Sequence, residues 1–355
     1  MHNIVEKQYP VGQGGLHLGI IKNTKEYVAY IYDCGSYCSR RKINCYDEYF
    51  ANIYALLKAH KVSMLYLYLS HMHNDHYNLL PDFLNGFQKE KLHLQIKINF
   101  YIPKIKEPEK IYLLTEYYGN SEKYKDYYNF LKEPEKSLQK YEIGEMPVDE
   151  LSPKNVENSK KPLHNWILDP FVECASGLQA FKGIKMSEVD TLEKLNSLRE
   201  EIKSKLDKKT IHSSMICLYS GPIGHNNMKF KCYYENNNKR DWIYRNCHNI
   251  CGWLHTGDIN LKNIINTKFY DYYKSYINNN YVGIMQIPHH CSSHNHDENF
   301  CDIFPKDTSG RIFYYTSSRL ARGGAKVVPN SSDIKNDNSI FLEIYECPPT
   351  FVVSD

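Results

Sequence analysis

The segment that most restricts how this chain can fold is an apolar run, Leu65-Tyr66-Leu67-Tyr68-Leu69-Ser70, followed at once by His71-Met72-His73-Asn74-Asp75-His76. The first half reads as a buried strand, so the second half must sit on the loop at that strand's end. Two histidines one residue apart point the same way from an extended loop. Asp75 and His76 lie one turn further on, at the start of a helix, and can face a second ion. Imidazole and carboxylate suit zinc, manganese or iron, and so sulfur-poor a set argues against a structural cysteine-rich zinc site.

Around this motif the chain reads as a layered α/β unit. Strand-like runs occupy 16–21, 27–32 and 64–69, and 46–60 carries Phe50, Ile53, Tyr54 and Leu57 at the spacing of a helix with one face on a sheet. Strand-like segments resume at 214–219, 250–255, 281–287, 311–316 and 339–345. Between about 104 and 209 the composition shifts to Lys, Glu and Tyr with several prolines, which reads as an insertion. Within it, 190–206 has helical spacing in Leu192, Leu195, Leu198, Ile202 and Leu206. A smaller polar stretch at about 226–249 reads as a hairpin tip or loop. The expectation is one domain over 1–355 that carries both insertions, without internal repeats.

Composition narrows the classes. A chain of 355 residues buries a sizeable core without disulfide staples. With 44 Lys+Arg against 41 Asp+Glu the net charge is +3, too small to announce nucleic-acid binding by overall field, so any polyanion-binding surface is local. Eleven cysteines without framework spacing, and no apolar stretch at the N-terminus, lead to the expectation of a reduced, cytoplasmic protein. No apolar run approaches the roughly 18 to 20 residues of a membrane span, and mean hydropathy is −0.58. The 31 tyrosines read as compositional bias rather than a tyrosine-based function.

One motif cannot complete two ions, and further candidates stand at the ends of later strands. His212 opens 211–216, Asp258 closes 254–258, and His289 with His290 closes 286–290. Ligands at strand ends share one rim, where open α/β sheets gather their chemistry. Either His289 or His290 can be the ligand. Ser292 and Ser293 suit a helix N-cap or a hydroxyl aimed at a substrate oxygen. Arg319 and Arg322, with Gly323, Gly324 and Lys326, form a basic loop that either holds a phosphate or is a solvated turn. His294 and His296 sit in a loop-like stretch, and Cys34, Cys38, Cys247 and Cys251 lack the paired spacing of a zinc ribbon.

Taken in order, these elements resemble the metallo-β-lactamase superfamily and, within it, the hydrolase domain of ComEC-type competence proteins. The matching elements are Val11-Gly12-Gln13-Gly14, Asp33-Cys34-Gly35, Ser70 with the histidine motif, Ser213-Ser214-Met215, Thr256-Gly257-Asp258 and Pro288-His289-His290. Gly15 stands where that branch usually has an aspartate, and Cys291 stands in place of a glycine. The resemblance spans about 9–100 and 208–330 and implies a four-layer αββα sandwich with a helical insertion. It implies two divalent metal ions as cofactors, zinc first, with manganese or iron as alternatives. It places His71, His73 and His212 on one ion, Asp75, His76 and His290 on the other, and Asp258 between them. Asp33 would support the metal loop, and His289 would then either support a ligand from behind or meet the leaving group. ComEC-type domains often lack the second motif histidine and a histidine near the Ser-rich strand, and this chain has both.

The function so implied is hydrolysis by a metal-held hydroxide, with Asp75 orienting it and accepting its proton, and with Ser292, Arg319 and Arg322 available to substrate. The reading is a phosphodiesterase or nuclease acting on DNA, RNA or a nucleotide second messenger, with defence against foreign DNA or phage as the analogy. The alternative is another ester in the same site: a lactone, thioester or phosphocholine ester. A binding or scaffold protein with an inactive site is the reading from another class, and the intact ligand set argues against it.

Overall fold

The computed structural model describes residues 3–36, 45–117, 121–144, 146–205, 213–224, 230–236, 239–247, 252–292, 295–304, 311–316, 339–344 and 350–354. Their elements run β1 (Ile4–Gln8), β2 (Gly14–Asn23), β3 (Glu26–Ser36), α1 (Cys45–Ala59), β4 (Val62–Tyr68), α2 (Asn74–Tyr77), α3 (Leu80–Lys89), β5 (Lys97–Pro103), α4 (Glu107–Thr115), α5 (Ser121–Lys132), α6 (Pro134–Gln139), β6 (Val148–Leu151), β7 (Lys161–Leu163), β8 (Trp166–Glu173), α7 (Leu192–Lys205), β9 (Met215–Pro222), β10 (Phe230–Asn236), β11 (Lys239–Cys247), β12 (Gly252–His255), α8 (Lys268–Asn278), β13 (Val282–Gln286), β14 (Arg311–Thr316), β15 (Ser339–Ile344) and β16 (Thr350–Ser354).

Two sheets result. One has the order β11-β10-β16-β1-β2-β3-β4-β5-β6, the other β15-β14-β13-β12-β9-β8-β7. Each changes from antiparallel to parallel pairing part-way across: at β3 in the first and at β12 in the second. The parallel connections need crossovers, supplied by α1 between β3 and β4 and by α8 between β12 and β13.

Side-chain alternation assigns the faces. In β3, Ala29 and Ile31 pack with Phe50, Ile53 and Leu57 of α1, whereas Val28, Tyr30 and Tyr32 face the other sheet. In β9, Ile216 and Leu218 point to that shared interior, and Met215, Cys217 and Tyr219 pack on Phe269, Tyr273 and Ile277 of α8. Three apolar layers therefore separate helices, sheet, sheet and helix, which is the four-layer αββα sandwich. Each fully buried Leu, Ile or Phe in these layers contributes about 1.5–3 kcal/mol.

The 104–209 segment supplies α4 to α7 to the outer layer and also β6, β7 and β8 to the sheets. Within 226–249, β10 and β11 pair as an antiparallel hairpin. Between the sheets, His255 of β12 stacks on Tyr32 of β3 with ring centroids 4.6 Å apart. That contact brings the residue before Asp33 beside the strand that leads to Asp258. Among the described residues no helix is long and apolar enough to cross a membrane.

Candidate metal centre

The chain leaves the first sheet after β4, crosses Leu69 to His73, and turns once as α2, which carries Asp75 and His76. The loop is held from three sides. Tyr127 of α5 donates to the Met72 carbonyl at 2.6 Å, Leu79 N–H donates to Cys34 O at 3.0 Å, and Asn78 Nδ2 donates to Ser36 O at 2.6 Å. Gly35 lets β3 run directly beneath α2. A Cβ there would lie 2.3 Å from Asp75 O and 2.5 Å from the His76 carbonyl carbon, both backbone atoms.

Asp33 organises what stands on this platform. Its backbone adopts the left-handed conformation (φ 60°) and its carboxylate is buried. Oδ1 accepts from Ser70 N–H at 2.6 Å, and Oδ2 accepts from Ser70 Oγ at 2.9 Å and lies 2.7 Å from His76 Nδ1. His71 Nδ1 in turn lies 3.0 Å from Ser70 Oγ. With the serine hydroxyl committed to Asp33, the neutral form of either ring carries its proton on Nδ1, and Nε2 is the atom left facing inward to coordinate. Fixing the tautomer through the other ring nitrogen is how metal-binding histidines are oriented.

Facing them is Asp258, on the turn after β12. Its Oδ1 lies 3.5 Å from His76 Nε2, and its Oδ2 lies 3.6 Å from His71 Nε2 and 3.9 Å from His289 Nε2. His71, His73 and Asp258 each offer a ligand atom within 4.8 Å of the others, and Asp75 Oδ2 is 3.9 Å from His76 Nε2. These separations are too long for hydrogen bonds. Two ligand atoms each about 2.0–2.1 Å from a tetrahedral ion lie about 3.4 Å apart, and the Asp258 distances cluster just above that edge length. His71 Nε2 is buried and makes no hydrogen bond among the described residues. The donor set and its spacing fit divalent cations.

The Asp258 turn is fixed by residues that no sequence motif announced. Gln286 Oε1, at the end of the parallel neighbour β13, accepts from Thr256 N–H at 3.1 Å and Gly257 N–H at 3.2 Å. Asn295 Nδ2 donates to Asp258 O at 2.8 Å. Gly257 has φ 56°, and a Cβ on it would lie 2.9 Å from Ser70 Cβ, so only glycine lets this turn press against the metal loop. His289 N–H donates to Gly257 O at 3.1 Å, which sets the β13 end beside the same turn. Cys291 adopts φ 64°, a left-handed conformation that glycine enters most readily.

Electrostatics agree with a cation in this place. Burial pushes His71 well below and His73 below the ordinary histidine range, so both stay neutral and able to coordinate. Burial acts the same way on His76, but the carboxylates of Asp33, Asp75 and Asp258 outweigh it and hold that ring well above its ordinary value. Burial works against ionisation of Asp258, yet His289, His76 and His71 pull it well below the usual carboxylate range. Three acids thus converge on one buried ring, a balance that a divalent ion satisfies.

Of the residues singled out in the sequence, the fold brings His71, His73, Asp75, His76, Asp258, His289 and Asp33 together. Ser292 is half-buried beyond His289 and belongs to the same turn. His212, Arg319 and Arg322 lie outside the described residues, as does the side chain of His290.

Fold and site together define an αββα sandwich with a histidine and carboxylate cluster of metal-binding type at the rim where the two sheets meet. No family model matches the chain, and no curated protein matches it. Among solved structures the chain is similar to unliganded yeast PDE1, with a TM-score of 0.47 and 11% identity over 98% of this chain and 99% of that one.

Proposed function

We propose that this protein is a dinuclear metal-dependent hydrolase of phosphodiesters, with nucleic acids or nucleotides as its substrate class. The observation that carries the reading is the inward-facing set of His71, His76 and Asp258 atoms, spaced just above a tetrahedral edge, with a His73 ligand atom within 4.8 Å of those of His71 and Asp258. In this reading His71 and His73 would hold one ion, with His212 the further ligand that the resemblance implies. Asp75 and His76, with a histidine of the 289–290 pair, would hold the other, and Asp258 stands where it could serve both. The placement of His289 Nε2 supports His289 as that histidine. Divalent ions held there supply Lewis acidity, polarising a phosphoryl oxygen and lowering the pKa of water to about 7.

The chain's own residues do the rest. Ser70 and Asp33 keep the histidine tautomers in place. Asp75, buried beside His76, orients the nucleophilic water and takes its proton. The mouth is indicated by a gradient of exposure: the His71 and His76 side chains are 0% exposed, Asp258 13% and His289 47%. Substrate therefore approaches across His289, with water excluded from the His71 side. The resemblance to ComEC-type domains favours a phosphodiester over other esters.

The test is elemental analysis of the purified protein together with hydrolysis of bis-p-nitrophenyl phosphate and of labelled DNA, RNA and cyclic nucleotides. About two divalent ions per chain are expected, with turnover lost in Asp258→Ala and Asp75→Ala. Activity in metal-free protein would sink the reading, and cleavage of a lactone panel without any diester would move it to another ester.

A further inference from the structure

Glu109 is an acid on the buried face of a helix. Its helix, α4, buries Ile111, Leu113 and Leu114, and Glu109 itself is 1% exposed. A carboxylate in such a place is costly unless its oxygens are hydrogen-bonded. Both are satisfied by a single residue 105 positions away: Ser214 N–H donates to Oε1 at 2.5 Å and Ser214 Oγ donates to Oε2 at 2.7 Å. The same hydroxyl accepts from Ala175 N–H at 3.0 Å. One carboxylate thus ties α4 and the chain leaving β8 to the start of β9.

The start of β9 is where the two halves of the site meet. Met215 Sδ accepts from Asp258 N–H at 3.0 Å, and Ile216 N–H donates to Ser70 O at 2.7 Å. Tyr32, next to Asp33, donates through its hydroxyl to Ile216 O at 2.7 Å. Three residues along α4 from Glu109, the Tyr112 ring lies edge-on to His73 with centroids 6.0 Å apart. The helix therefore touches the motif loop directly and the Asp258 turn through Ser214 and Met215.

We propose that Glu109 is a positioning residue of the metal centre: its bidentate hold on Ser214 sets the start of β9 between Ser70 and Asp258, at the spacing the ligands require. The proposal rests on the metal-dependent reading above. Glu107, on the same helix, is the internal comparison. Its Oε1 accepts from Met186 N–H at 2.8 Å, a donor in the helical layer rather than at β9. If the acids of α4 served the fold alone, losing either would have like effects.

The experiment uses the full chain. Zinc affinity is measured by chelator competition, with kcat and KM on bis-p-nitrophenyl phosphate, for Glu109→Ala, Glu109→Gln, Ser214→Ala and Glu107→Ala. Glu109→Ala is expected to weaken zinc binding about 10- to 100-fold, the range typical of residues that orient ligands. Glu109→Gln, whose amide oxygen still accepts the Ser214 N–H, falls between it and wild type. Ser214→Ala weakens binding, and the double variant with Glu109→Ala is no worse than Glu109→Ala alone. Glu107→Ala binds zinc as wild type does, whatever its melting temperature. Equal zinc affinity in wild type, Glu109→Gln and Ser214→Ala overturns the proposal even if Glu109→Ala does not fold, and so does a matching loss in Glu107→Ala. Wild-type protein that holds no metal fails the metal-dependent reading itself, so the two failures are distinguishable.

Discussion

Replacing Asp33 by Asn tests the orientation of the site with almost no change of shape. Asn tolerates the left-handed backbone at this position as Asp does, so no strain is added. The amide oxygen can keep the 2.6 Å bond from Ser70 N–H. The amide nitrogen then stands where Oδ2 met Ser70 Oγ at 2.9 Å and His76 Nδ1 at 2.7 Å. Donating to His76 Nδ1, it forces the ring proton onto Nε2, the atom that faces Asp258 Oδ1 at 3.5 Å. A protonated Nε2 cannot coordinate. Hydrogen bonds to a charged acceptor are worth roughly 1.5–3 kcal/mol and neutral ones about 1, so converting two of them costs about 2 kcal/mol, or about 30-fold in affinity. Chelator competition at pH 7.5 reads this directly, with thermal melts confirming that the variant folds. Asp33→Asn protein that folds and binds zinc as tightly as wild type would refute the tautomer argument.

Other consequences follow from single contacts. Gly35→Ala drives a methyl group into the backbone of α2 and should cost about 1–3 kcal/mol, seen as a lower melting temperature together with lost metal; unchanged values of both would show that α2 can move aside. Burial pushes Glu109 up to about 7 from 4.5, against the Ser214 donors that pull it down. An acid with a raised folded pKa contributes stability that is present below about 4.5 and lost as pH rises through about 7. In metal-free protein the stability of wild type relative to Glu109→Gln should therefore decline from pH 5 to 8, by up to about 3 kcal/mol, and denaturant titrations showing a flat difference would exclude it. His289→Ala should lose one ion per chain while His290→Ala keeps two, by elemental analysis; the opposite pattern reassigns the ligand to His290.

Much of the scaffold was legible because its signals are local. The periodicity of Phe50, Ile53, Tyr54 and Leu57 marks α1, and the runs at 27–32, 64–69 and 311–316 fall on β3, β4 and β14. The four-layer arrangement, expected from the resemblance, is the one observed. The strands of the middle segment were not legible. β8 carries Pro170 at its centre and β7 is three residues long, so neither shows the alternation that marks a strand. β8 takes its place by pairing with β9, some fifty positions away, and β7 takes its place at the edge by pairing with β8.

By itself the sequence determined the chemistry available: the three histidines and the aspartate of 71–76 lie within six consecutive residues whatever the rest of the chain does, and Asp258 and His289 follow strand-like runs. Only the tertiary structure decided which atoms face one another. Nothing local says that His76 turns Nδ1 to Asp33 and Nε2 to Asp258, that Gln286 holds the turn of Thr256 and Gly257, or that Glu109 reaches Ser214. Those contacts join residues 29 to 182 positions apart and exist because two sheets and their helices close over shared apolar layers. Chain neighbours are set by covalent geometry, whereas these partners are set by packing.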